Sequence, residues 1–157
     1  MSEVRFYHLT ELPLERALPV MLEKTLERGQ RAVIRGGNAE RLAFLDGHLW
    51  TYGDGSFLPH GGPDDGHAEH QPILLTTGAD IPNGAKTLFL VDGAVAEISE
   101  IETLDLVAIL FDGHDPAAVQ AAREQWRGVT EAKLAAVYWA QEDGRWVKKH
   151  ETATPEA

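Results

Sequence analysis
The residues whose types and spacing best suit a shared task are Arg123, Trp126 and Arg127, in the run Ala122-Arg123-Glu124-Gln125-Trp126-Arg127. Positions three and four apart stand together on a helix, so two guanidinium groups would flank one indole. That is the chemistry of a recognition surface, in which planar cations grip a carboxylate and a ring supplies apolar contact. A Trp tucked onto the core with solvated Arg residues beside it would have the same composition. A second cluster is Leu49-Trp50 followed by Ser56-Phe57-Leu58-Pro59-His60, which puts Trp50 at a helix end and Phe57 in a loop. Aromatic residues in such segments either line a site or fold back onto the core.

Other chemistry finds less support. Gly36-Gly37 has neither the Gly-Lys-Ser/Thr ending of a phosphate loop nor G-x-G-x-x-G spacing, and reads as a tight strand-to-helix turn. His60, His67 and His70 with Asp64 and Asp65 carry metal-ligand chemistry. No two of these His are four apart on a helix, and an ordinary polar loop is the simpler reading. Ser56 and Ser99 lie in no G-x-S-x-G context. The expectation is no cofactor, no metal and no catalytic constellation. The alternative is an enzyme on an α/β scaffold that uses the 51–71 segment as a nucleotide or metal site.

Charge narrows the partners. The 157 residues carry 14 Lys and Arg against 25 Asp and Glu, a net charge of −11. Between Leu42 and Ala122 the only basic residue is Lys86, set against thirteen acids. From Arg123 to Lys149 the balance turns, with Arg123, Arg127, Lys133, Arg145, Lys148 and Lys149 against four acids. A phosphate backbone would be repelled by most of this surface, so tight DNA binding is not expected. A small basic site near the C-terminus suits an acidic peptide instead. Without Cys there is neither a disulfide framework nor a thiolate site. The start lacks the pattern of a signal peptide, and no apolar run approaches the roughly 20 residues of a membrane span. A cytoplasmic protein is expected.

The elements that must position these residues follow from periodicity. Val4 to Leu9 reads as a strand, with Thr10 as cap and Pro13 in the first turn of a helix carrying Leu14, Leu18, Met21, Leu22, Thr25 and Leu26. Arg31 to Arg35 reads as a second strand, and Asn38 caps a helix with Leu42, Leu45 and Leu49 on one face. Thr51 to Gln71 reads as a long loop. Ile73–Thr76, Lys86–Val91 and Leu104–Phe111 follow as strands, the last two too continuously apolar for one wet face. Asp115 and Pro116 open a last helix reaching to about Lys133. Val137–Gln141 and Arg145–Lys148 flank Asp143-Gly144 as a hairpin. The order predicts a single three-layer α/β domain over 1–150 with a mostly parallel open sheet, a short C-terminal hairpin, and a frayed tail over 151–157.

Four segments together give the sequence a family likeness. Phe6-Tyr7-His8-Leu9, the L-W then S-F-L-P-H signature at 49–60, the 122–127 helix, and Tyr138-Trp139 with Gly144-Arg145-Trp146 occur in an order and spacing that resembles the chi subunit of bacterial DNA polymerase III. The resemblance implies a Rossmann-like mononucleotide-binding fold without catalytic activity. It further implies attachment to the clamp loader through the psi subunit, and capture of the acidic C-terminal tail of single-stranded-DNA-binding protein. Carried onto this chain, it makes Arg123 the residue that holds the tail's terminal carboxylate, Arg127 a second cation and Trp126 the aromatic contact. Trp50 and Phe57 match aromatics close to the same site, and Phe111 an apolar position at the end of the preceding strand. Val119 stands where the family has a further basic residue. Lys148 and Lys149 are weaker candidates.

Overall fold
The computed structural model describes residues 2–51, 60–61, 71–78, 81 and 83–152, with the side chains of 50, 51, 60 and 61 outside that description. The chain order is β1 (Glu3–Leu9), α1 (Leu14–Glu27), β2 (Ala32–Gly36), α2 (Ala39–Thr51), β3 (His60–Gly61), β4 (Ile73–Thr76), β5 (Thr87–Val91), α3 (Ile98–Ile101), β6 (Leu106–Asp112), α4 (Pro116–Glu131), β7 (Ala135–Glu142) and β8 (Arg145–Glu151). They form an eight-stranded sheet in the order β3-β4-β2-β5-β6-β1-β7-β8. Every pairing is parallel except β7 with β8.

Strand residues alternate between two cores, as a pleated sheet covered on both faces requires. Ile34, Ile73, Leu75, Phe89 and Leu110 pack with Leu18 and Leu22 of α1 and with Leu42, Leu45 and Leu49 of α2. Val33, Leu74, Leu88, Leu90 and Ile109 point the other way, toward Ile101 of α3 and Ala122 and Val129 of α4. The expected three layers are present, with α1 and α2 on one face and α3 and α4 on the other.

Several local readings are borne out. Asn38 Oδ1 accepts from the Arg41 N–H at 3.0 Å, capping α2. Asp115 Oδ1 accepts from the Ala117 N–H at 3.0 Å, with Pro116 in the first turn of α4. The β7–β8 turn has φ of 50° at Asp143 and 75° at Gly144, the left-handed pair that a two-residue hairpin needs. Gly37 is a tight turn, because a Cβ there would run into the backbone carbonyl of Asp92.

Four expectations are corrected. Thr10 does not cap α1, whose N-cap is Pro13. The β1–α1 loop is tied instead to β7, where Gln141 Oε1 accepts from the backbone N–H groups of Thr10, Glu11 and Leu12 at 2.8–3.0 Å. Part of the expected 51–71 loop is regular, since Thr51 closes α2 and His60–Gly61 pairs with Ile73–Leu74. The rest of it, from 52 to 59 and from 62 to 70, lies outside the described residues. A short helix, α3, interrupts the predicted run of strands, because Ile98 and Ile101 at helical spacing turn inward while Glu97 N-caps it. The chain end is longer in structure than foreseen. Glu151 belongs to β8, and the Thr152 N–H donates to Ala136 O at 2.9 Å. Residues 153–157 lie outside the described residues.

Candidate peptide-binding site
Helix α4 leaves β6 and crosses the sheet to reach β7 beyond β1. Ala118, Val119, Ala122, Trp126 and Val129 are the residues it turns toward the sheet, and Arg123 and Arg127 remain exposed. Trp126 sits at the border, half-buried. Its indole meets Phe6 edge-on at 5.3 Å between centroids, Tyr138 at 6.0 Å and His150 at 6.3 Å. Such ring pairs fix the indole's orientation as well as adding contact energy. Val119, at the family's basic position, packs inward beside Ala118 and brings no charge.

Next to this indole, β1, β6 and β7 supply a compact aromatic group. Phe111, buried at the end of β6, stacks on His8 of β1 at 5.0 Å and meets Tyr138 of β7 at 6.1 Å. Tyr138 Oη lies 2.7 Å from His8 Nδ1. Arg123 is electrostatically coupled to both, its charge making His8 harder to protonate and Tyr138 easier to ionise. Burial dominates each balance, lowering the His8 pKa and raising that of Tyr138. Arg123, Arg127, Trp126, Phe111 and Val119 are thus gathered on or beneath one helix.

The two cations are uncommitted. Among the described residues, neither Arg123 nor Arg127 makes an ion pair or a hydrogen bond through its side chain. By contrast Arg5 is held by Glu3, Arg41 by Glu15 and Asp92, Lys148 by Glu151 and Lys149 by Glu142. Lys148 and Lys149 thus each have a carboxylate partner in the β7–β8 hairpin.

Trp50 belongs to α2, and its side chain lies outside the described residues. It ends α2, which packs on the sheet face opposite α4, so the two helices share no layer. A sequence motif cannot reveal which face a crossover helix covers; that depends on the order of the strands. Phe57 lies outside the described residues. Conversely, His8 and Tyr138 join the group although nothing in their sequence spacing places them together. Their signal was the polar pair amid buried neighbours: His8 follows Val4 and Phe6 on the same strand face, and Tyr138 is the register partner of Phe6.

A cleft of about 870 Å³, with Phe111 on its wall, opens at the carboxyl ends of β1, β5 and β6, where the crossovers diverge and α/β folds often bind ligands. Its walls include Glu11, Glu15, Asp92, Asp112 and Asp115, and its Arg41 is engaged by Glu15 and Asp92. That charge repels a phosphate. Among the described residues no group of three His, Asp or Glu is placed to hold a metal, and His67, His70, Asp64 and Asp65 lie outside them.

Comparison with known proteins meets this geometry. The family model for the DNA polymerase III chi subunit, HolC, matches residues 1–137, which take in β1 to β6, the start of β7 and all four helices. The chain belongs to the DNA polymerase III chi subunit family. A curated relative, the probable DNA polymerase III subunit chi of Rickettsia prowazekii (strain Madrid E), is 27% identical over 103 residues. The match takes in 65% of this chain and 62% of that relative, so it spans less than two thirds of the relative's length. Residues 1–137 include Arg123, Trp126 and Arg127, so the α4 site lies inside the chi-family match; Tyr138 and β8 lie just past its end. Among the described residues no helix is long and apolar enough to cross a membrane.

Proposed function
We propose that this chain is a non-catalytic, cytoplasmic subunit of the replicative polymerase that captures the acidic C-terminal tail of single-stranded-DNA-binding protein on α4. Through the psi subunit, where one is present, it links that protein to the clamp loader. The observation that carries the reading is the pair of uncommitted guanidinium groups, Arg123 and Arg127, beside the half-buried Trp126 in a chain of net charge −11. A tail ending in an apolar side chain and a carboxylate needs a cation next to an apolar ring. Arg123 supplies the cation, Trp126 the ring and Arg127 a second charge for acids further back. The acidic remainder of the surface repels tails that miss this spot.

Each charge-assisted hydrogen bond contributes about 1.5–3 kcal/mol, so losing Arg123 weakens binding by roughly tenfold to a hundredfold. The exposed cations make the affinity fall as salt rises. The test is a fluorescence titration of an acidic peptide ending in Phe with a free carboxylate, against the wild-type protein and Arg123→Ala, at two salt concentrations. Equal affinities for the two proteins would refute the assignment. Calorimetry with nucleotides or divalent ions is expected to give no heat, separating this reading from an enzyme working through the 51–71 segment.

A further inference from the structure
Tyr138 and His8 are hydrogen-bonded to each other within the electrostatic reach of Arg123, and the mechanism above uses neither. The Gly113 backbone lies against the imidazole edge, where a Cβ would meet Nε2, and its N–H is committed to Leu9 O at 2.8 Å. Its influence favours the protonated ring, as an acceptor from Nε2–H would. With its one proton on Nε2, the neutral imidazole has Nδ1 as an acceptor. The 2.7 Å contact is then a bond in which the Tyr138 hydroxyl donates inward to His8. A hydroxyl has one proton, so in this state it offers an incoming carboxylate only lone pairs.

We propose that His8 and Tyr138 form a proton-gated donor at the tail site. Once the imidazole is protonated at both nitrogens, Nδ1–H donates to Tyr138 Oη, and the hydroxyl turns its own proton outward to the captured carboxylate. No bond other than hydrogen bonds changes, and the one proton taken up comes from solvent. The proposal rests on the tail-capture reading and adds a pH-dependent partner to Arg123.

The groups facing His8 come from every element around it: Tyr138 on β7, Asp112 at the end of β6, His114 in the following turn and Arg123 on α4. In the free protein burial, His114 and Arg123 all oppose protonation, while the Gly113 backbone and Asp112 favour it. A bound carboxylate adds negative charge and an acceptor, so binding and proton uptake reinforce each other. Affinity therefore rises as pH falls through the range below neutrality. His150, beside Trp126, is the competing source of any such effect.

The experiment is the same acidic, Phe-ended peptide titrated by fluorescence anisotropy at about pH 5.5 and about pH 8 at fixed ionic strength. A rise of one unit in the His8 pKa on binding makes the wild-type complex a few-fold tighter at the lower pH, about tenfold being the limit reached only below both pKa values. Tyr138→Phe keeps the ring against Phe6, Phe111 and Trp126 and is expected to lose most of that gain. Equal wild-type affinity at both pH values, with binding intact, would overturn the gate and leave the tail-capture reading standing. A gain that persists in Tyr138→Phe would assign it to His150 or His114 and overturn the gate as well. No binding at either pH would remove the tail-capture reading and the gate with it.

Discussion
The imidazole Nε2 of His48 on α2 lies 2.7 Å from the carbonyl oxygen of Glu15 on α1. Pro19 stands four residues after Glu15 and has no N–H, so it leaves that carbonyl without its helical donor. His48 supplies the missing proton from the neighbouring helix. Replacing it by Ala strands a half-buried carbonyl and is expected to cost about 1–2 kcal/mol. In a Pro19→Ala background the helix closes its own bond, and the same change costs much less. A double-mutant cycle by urea unfolding measures the difference; additive effects would show that the two residues are not coupled.

Arg35, on the central strand β2, is nearly buried and donates through Nη1 and Nη2 to Glu100 at 2.8 and 2.7 Å. Those bonds hold the Glu100 carboxyl below its ordinary value of 4.5, with burial pulling the other way. A carboxyl lowered in the folded state stabilises it above the unfolded pKa, and the contribution disappears as pH falls through the folded value. Glu100→Ala is expected to lose about 3 kcal/mol at neutral pH, because a buried cation loses its counter-charge. The wild type and the variant should converge in stability as pH falls through the folded Glu100 value, below 4.5. Denaturant midpoints across pH check both statements.

Two glycines are set by close approach. A Cβ at Gly113 would collide with the His8 imidazole and Thr10, and one at Gly37 would collide with the backbone of Asp92. At Gly37 the obstacle is main chain, so Gly37→Ala is expected to cost about 1–3 kcal/mol in thermal or urea unfolding. At Gly113 the obstacle is a side chain that can move. Gly113→Ala should therefore displace His8 from Phe111 and Tyr138, seen as altered ring resonances of all three by NMR. Unmoved resonances would refute this.

The cations of the C-terminal third should not be equal in peptide binding. Arg127→Ala is expected to weaken the acidic peptide by about threefold to tenfold, as an exposed charge a turn from Arg123. Lys149→Ala, whose ammonium is already engaged by Glu142, should change affinity by less than about twofold. Titration of both variants at one ionic strength decides it. A larger loss from Lys149→Ala would move the site toward β8.

From sequence alone, the local chemistry was largely determined. Apolar runs too continuous for one wet face made β5 and β6 central parallel strands, and the Asn38 and Asp115 caps and the Asp143-Gly144 turn are short-range hydrogen bonding and backbone conformation. The i, i+3, i+4 grouping of Arg123, Trp126 and Arg127 was legible for the same reason, because helix geometry acts within one turn. Only the tertiary structure decided what lies across from what. Strand order placed α2, which carries Trp50, and α4, which carries Arg123, on opposite faces, and it paired His8 with Tyr138, 130 residues apart. It also gave Thr10 to Gln141 rather than to the helix it precedes. Those contacts depend on how crossovers wind about the sheet, a property of the whole packed chain that no window of neighbouring residues contains.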